Sequence, residues 1–373
     1  MKSGPLATLF YPFESGALAA PEAGRLLFLG AEPGFRLPEG FGAEMNLVQG
    51  FRPHFRALEL AGHKVTPTSE GNGFDGALVL AGRHRGQNEA WIVEAIERVA
   101  PDGLIVVAGS NDDGIASLRK RMESGEDKLA SAIARKKPAG PATEHSERAR
   151  LYHPFRGAVP LEGHLSKYHG VAFWFRKTEE VNAFAASVKR WHLSWPLTDR
   201  RFATAPGMFS HDRIDAGSRL LAECLPESAK GAAADFGAGW GYLSAMLAER
   251  TNGLKAIDLY EADYESLQAA KKNLANLPDA PEFGFFWHDL VGEKVERRYD
   301  LIVMNPPFHQ GRAAEPGIGQ AMIKAASSAL KPGGQLLMVA NRGLPYDQVL
   351  KGSFKDVREL RNEGGFRVFA ARK

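Results

Sequence analysis

The chain predicts an α/β fold, two tandem units each built on a mostly parallel sheet, and three observations say so. Short apolar runs such as Tyr299–Met304 and residues 74–80 lack polar alternation, as do strands covered by helices on both faces. Each run is followed by a loop, a helix and a Pro/Gly turn that leads into another apolar run. One turn is Val99-Ala100-Pro101-Asp102-Gly103 before residues 104–108; the other is Leu330-Lys331-Pro332-Gly333-Gly334 before residues 335–340. Finally, 373 residues are more than one domain normally holds.

The first half opens with a strand, Arg25-Leu26-Leu27-Phe28-Leu29-Gly30, followed by Ala31-Glu32-Pro33-Gly34. Phe74-Asp75 then begins an apolar strand just as Tyr299-Asp300 does later, but Ala81-Gly82-Arg83-His84-Arg85-Gly86 follows it. Basic clusters come next: Arg119, Lys120 and Arg121, then Arg135, Lys136 and Lys137, then Arg148 and Arg150. They can neutralise phosphates. The interspersed Glu123, Glu126, Asp127, Glu144 and Glu147 suit an ordinary solvated surface equally well. Val181, Phe184, Ala185 and Val188 share one helical face, predicting a helix over 178–195 that joins the halves. The expected division is 1–178, a linker helix at 179–195, and 196–373.

In the second half, Ala232-Ala233-Ala234-Asp235-Phe236 runs into Gly237-Ala238-Gly239-Trp240-Gly241 and then a helix from Tyr242. Such glycines let backbone approach a ligand closely. Alone they resemble a dinucleotide loop. Two details favour S-adenosylmethionine: the Gly-x-Gly-x-Gly spacing lacks the later helix-packing glycine, and Asp235 suits a cationic amino acid moiety but would repel a pyrophosphate. A second strand, 254–260, ends at Glu261, placed to hold ribose hydroxyls; Asp258, inside it, is assigned a structural role. A third, Glu282–Trp287, leads to His288-Asp289, where Asp289 can accept from an adenine amine.

Asn305-Pro306-Pro307-Phe308 then follows Tyr299–Met304. The prolines end the strand, and loops at the carboxyl ends of such strands are where open α/β sheets bind ligands. The Asn305 oxygen and Pro306 carbonyl make a pair of acceptors, and Phe308 adds a flat apolar face. Together they suit a planar amine of adenine, cytosine or guanine, or a glutamine amide. Two accepted N–H bonds favour a pyramidal nitrogen and stabilise the positive charge of attack, while Phe308 fixes the distance to the methyl donor.

With these motifs in order, the C-terminal half resembles class I S-adenosylmethionine-dependent methyltransferases. More narrowly it resembles the ribosomal small-subunit methyltransferase C family, which methylates N2 of a guanine in 16S rRNA. The narrower likeness rests on Leu197, on Pro206-Gly207-Met208-Phe209-Ser210, on Asp215-x-Gly217-Ser218, on His309 after Asn-Pro-Pro-Phe, and on Ala340-Asn341 with Leu344-Pro345-Tyr346. It implies two tandem Rossmann-like class I methyltransferase domains. The N-terminal one has lost its donor loop and amine motif; the C-terminal one has a seven-stranded sheet. It further implies donor binding by Asp235, Gly237, Ala238, Gly239, Glu261 and Asp289 with Asn305, catalysis by Asn305, Pro306, Pro307 and Phe308, and a Phe209 segment over the donor. Substrate contacts are expected from His309, Arg119, Lys120, Arg121, Lys136 and Lys137, with ribosomal RNA or the small subunit as partner. There are two departures: Glu261 replaces the commoner Asp, which should be tolerated, and 313–319, on the substrate side, is longer than the family's connection, which touches the exact target more than the chemistry. An unrelated α/β fold for the first half, another planar nitrogen as acceptor, and a non-catalytic RNA-binding or assembly role are the alternatives.

Composition sets bounds. A single cysteine, Cys224, excludes an internal disulfide and a cysteine-rich zinc site. The eleven histidines show no metal-ligand spacing, so no metal is expected. Ser210-His211-Asp212 are chain neighbours, which is not how a hydrolase triad is assembled. Without an apolar run of bilayer length or a signal-peptide pattern, a cytoplasmic monomer away from membranes is the expectation. A net charge of +3 permits an RNA partner without demanding one.

Overall fold

The computed structural model describes residues 4–125, 158–193, 197–307, 309–310, 313–314 and 316–373. Lys136, Lys137 and Phe308 lie outside them. The chain forms two compact units, one of 1–49 with 54–195, the other of 50–53 with 196–373.

The first unit has strands β1 (Arg25–Leu29), β2 (Glu44–Val48), β3 (Val65–Thr66), β4 (Phe74–Ala81), β5 (Val99–Ser110), β6 (Gly163–Lys167) and β7 (Gly170–Arg176), ordered β3-β2-β1-β4-β5-β7-β6. The second has β8 (Ser228–Phe236), β9 (Asn252–Glu261), β10 (Glu282–Trp287), β11 (Tyr299–Met304), β14 (Leu330–Asn341), β15 (Asp356–Glu363) and β16 (Phe366–Arg372), ordered β10-β9-β8-β11-β14-β16-β15. Between β11 and β14, two short strands, β12 (His309–Gln310) and β13 (Ala313–Ala314), pair antiparallel. In each large sheet the first five strands in chain order run parallel, and the last one, β7 or β16, is reversed, pairing antiparallel with β5 and β6 or with β14 and β15. The chain therefore winds outward from β8 in one direction and from β11 in the other. The carboxyl ends of β8 and β11 flank the point of reversal, where such sheets open a crevice.

The apolar runs are explained by burial on both faces. In β11, Leu301 and Val303 join one core and Ile302 and Met304 the core on the opposite face. In β7, Phe173 and Phe175 face one core and Trp174 the other, so these aromatics fill the interior. The helix Glu179–Leu193 buries Val181, Phe184, Ala185 and Val188 in the first unit's core. Expected as a linker, it packs against the helix Arg85–Arg98 and joins that unit's core.

Candidate active site

Strand register brings the sequence motifs together. Phe236 lies level with Met304 on one side and Tyr260 on the other, and Trp287 lies level with Glu261. Gly237, Glu261, His288 and Asn305 therefore emerge side by side. A Cβ placed on Gly237 would lie 4.0 Å from the Asn305 carbonyl oxygen, which measures how closely the glycine loop meets the Asn-Pro-Pro segment.

Gly239 takes φ 53° and has open space where a side chain would stand, so its backbone can be approached. Gly241, at φ 91°, caps the helix Tyr242–Arg250; a Cβ there would press on Ala270 at 3.2 Å. The third glycine thus gives a close helix contact, although the spacing lacks the later helix-packing glycine of a dinucleotide loop. Asp235 is fully buried, with Oδ2 accepting from Ser244 Oγ at 2.7 Å and Oδ1 without a partner among the described residues. Burial pushes its carboxyl up to about 7 against the lowering effect of Ser244. An orphaned carboxylate oxygen under a glycine loop fits an ammonium group, met directly or through a water.

Glu261 Oε2 accepts from Gly239 N at 2.7 Å and Oε1 from Asp263 N at 2.7 Å. Its residue surface is only part-buried, yet protein atoms crowd the carboxylate. Loss of hydration raises it to about 7 despite the backbone N–H groups. Asp289 is buried and its Oδ1 accepts from Val291 N at 3.0 Å. Glu293 holds the same turn, accepting from Asp289 N at 2.9 Å and forming a two-pronged pair with Arg52. That pairing holds Glu293 down at about 2, although desolvation pulls it upward. Arg52 belongs to the short segment 50–53 that completes this unit. No sequence motif marked it or Glu293. Asp258 lies apart from the donor loop, its Oδ2 accepting from Tyr299 and Arg297, both at 2.7 Å.

Asn305 is part-buried, Pro306 buried and Pro307 exposed. Asn305 Nδ2 donates to Asp215 Oδ2 at 3.0 Å and Ser218 Oγ at 2.8 Å. Phe209 is 54% exposed, unusual for a phenyl ring, while its carbonyl accepts from Trp240 Nε1 at 2.8 Å. The glycine loop is thereby tied to the Phe209 segment. Asn273 adds a second tie, donating to Ala203 O and Trp240 O and accepting from Ala203 N. Nothing local in the sequence distinguishes Asn273 from any other helix-end asparagine. His309 sits in β12, level with Ala314.

The basic candidates fare differently. Lys120 is exposed. Arg119 pairs with Glu123 at 2.8 Å. Arg121, expected at a phosphate-facing surface, is instead buried against Glu89 at 2.7 Å. A guanidinium paired and sealed in this way is not presented to RNA. Among the described residues there is no metal-binding cluster, and no helix is long and apolar enough to cross a membrane.

A family model for the methyltransferase small domain matches residues 199–370. Ribosomal RNA small subunit methyltransferase C of Erwinia tasmaniensis is 36% identical over 179 residues, 48% of this chain and 51% of the relative. The protein of that name from Salmonella paratyphi B is 33% identical over 183 residues, 49% of this chain and 52% of its own. The aligned region spans about half the length of these curated relatives. Across both units, the fold matches a T. thermophilus 16S rRNA N2 methyltransferase solved with AdoMet and guanosine. The TM-score is 0.68 at 22% identity, covering 98% of this chain and 91% of that one.

Proposed function

We propose that this chain, whose residues 199–370 match a model of the methyltransferase small domain, transfers a methyl group from S-adenosylmethionine to N2 of a guanine in small-subunit ribosomal RNA. The observation that carries the reading is the adjacency of the glycine loop to Asn305 at the crevice between β8 and β11. The named relatives favour small-subunit ribosomal RNA, and the guanosine in the T. thermophilus structure favours guanine among planar amines.

S-adenosylmethionine supplies an electrophilic methyl group on a sulfonium. Asp235 would hold the donor's ammonium and Glu261 its ribose hydroxyls. Asp289 faces the adenine end. Asn305 Oδ1 and the Pro306 carbonyl accept the two N–H bonds of the guanine amine, so that its lone pair points at the methyl carbon. These acceptors strengthen as the nitrogen becomes cationic, so they lower the barrier more than they tighten ground-state binding. Phe308 stacks on the base, which has been turned out of its helix. The N-methylated cation is acidic and loses its proton to water, so no strong base is required.

The test offers the purified protein labelled donor with small subunits, naked rRNA and total protein separately, then digests the products. Label in N2-methylguanosine from the small subunit is expected; label confined to N6-methyladenosine or methylglutamine would overturn the reading. Neutralising Lys120, Lys136 and Lys137 together should raise the apparent RNA constant and flatten its salt dependence with turnover little changed.

A further inference from the structure

We infer that Asp215 and Ser218 are positioning residues of the transfer step, fixing the Asn305 carboxamide with its oxygen toward the acceptor amine. The inference rests on the proposed function, because it concerns how Asn305 meets an amine. A carboxamide has two nearly isosteric ends. If its NH2 faced the acceptor amine, donor would meet donor and transition-state stabilisation would be lost. Something must therefore choose the end.

The choice is made by the two bonds on Nδ2. One amide hydrogen goes to Asp215 Oδ2 at 3.0 Å and the other to Ser218 Oγ at 2.8 Å. A carboxylate oxygen only accepts, so the flipped amide would set oxygen against oxygen at Asp215. With both hydrogens engaged, Oδ1 is the atom left to face a ligand. Donation toward a carboxylate also shifts electron density onto Oδ1 and improves it as an acceptor. Asp215 is itself held, since its Oδ2 caps the helix Ala216–Glu223 by accepting from Ser218 N at 2.8 Å. Ser218 is 8% exposed, which limits competition from water.

Capping accounts for the Asp215–Ser218 backbone bond but not for the two bonds to Asn305, and this separates the roles experimentally. Ser218→Ala keeps the backbone N–H and hence the cap, removing only the hydroxyl. In the full-length protein it should lower kcat about tenfold, the scale of one lost orienting hydrogen bond, with donor affinity unchanged. Ser218→Thr should restore most of the rate. Asp215→Asn, which can donate as well as accept, should lower kcat several-fold while retaining the cap. In an Asn305→Ala background, Ser218→Ala should have no further effect, because the group it orients is gone. An unchanged kcat in Ser218→Ala, or an equal loss in the Asn305→Ala background, overturns the inference.

A second measurement does not depend on the substrate. The Asn305 side-chain amide signal of 15N-labelled protein should show slowed hydrogen exchange, and should move toward a free amide in Ser218→Ala. If the wild type fails to methylate guanine yet shows this protected signal, the functional reading fails and the orientation stands. A freely exchanging Asn305 amide in the wild type sinks the inference even if guanine is methylated.

Discussion

The two halves of this chain share a sheet order and even a fastening device, yet among the described residues the strand-end acids and the Asn-Pro-Pro segment stand in the second half. In each, the aspartate second in the fourth strand reaches back to the backbone of the first strand in the sheet. Asp75 Oδ2 accepts from Arg25 N at 2.7 Å, and Asp300 Oδ2 from Ala232 N at 3.0 Å. The pairing with the following strand even shifts register at the same place, after Phe74 in one half and after Tyr299 in the other. The halves part company at the strand ends. Leu29 lies level with Val79 as Phe236 lies level with Met304, so Leu80, rather than Ala81, stands where Asn305 stands. Phe28 replaces Asp235, and Gln49 replaces Glu261. Gln49 donates to Ala31 O at 2.7 Å, closing the loop that Glu261 holds by accepting from Gly239 N. Trp91 and Met322 are each the seventh residue of equivalent helices, and the indole lies against Gly30 where a methionine tip lies against Gly237. A fold therefore survives on strand fastening and two-sided burial, whereas a site disappears through a handful of replacements at one sheet edge.

The largest expected effect breaks the comparison at its sharpest point. Asn305→Ala should cut turnover by roughly 3 kcal/mol, about two orders of magnitude, with donor affinity within a few-fold. Single-turnover kinetics with calorimetry checks this, and near-normal turnover would remove Asn305 from the chemistry. Leu80→Asn, the reverse exchange, should create no activity.

Next comes stoichiometry. Calorimetry should find one donor per chain, and Asp235→Ala or Glu261→Ala should weaken it by about 1.5–3 kcal/mol each, the scale of a hydrogen bond to a charged group. Two equivalent sites would mean that the first half is not degenerate.

The acids also predict a pH dependence that the first half, with Phe28 and Gln49, cannot contribute. Asp235 and Glu261 are both raised to about 7, so the folded protein holds their protons after the unfolded chain has released its own. Their contribution to stability is therefore greatest at low pH and is lost as pH rises from about 4 to about 7. A bound ammonium favours the ionised Asp235, so donor binding should release protons and tighten across the same range. Thermal melts with and without donor, at about pH 5.5 and about pH 7.5, should show a larger donor-induced rise at the higher value. Glu261→Gln should remove its share of that trend.

The smallest effect should be shared by both halves. Asp75→Ala and Asp300→Ala should each cost about 1–2 kcal/mol by denaturant unfolding, through the loss of the strand-fastening bond and, for Asp300, of its part-exposed pair with Lys331, with the activity of the folded fraction unchanged. A large loss from only one would show that the two aspartates are not equivalent.

The sequence by itself determined the strands that carry the site, because burial on both faces requires unbroken apolar runs and prolines or glycines must end them. Tyr299–Met304 and Glu282–Trp287 have the bounds their residues imply. So too were Asp235 and Asn305 legible as strand-end polar residues beside loop-forming ones. What only tertiary structure decided are the pairings made across the fold. Asp215 and Ser218 are about ninety positions from the amide they hold, and Asn273 is seventy from the loop it ties. Arg121 read as a surface cation until Glu89, on another helix, proved to be its partner. The equivalence of Leu80 with Asn305 depended on inter-strand register, where one residue of slip changes every neighbour. Hydrophobic periodicity is a property of nearest neighbours in the chain, whereas a hydrogen bond chooses its partner only after distant segments have been packed together.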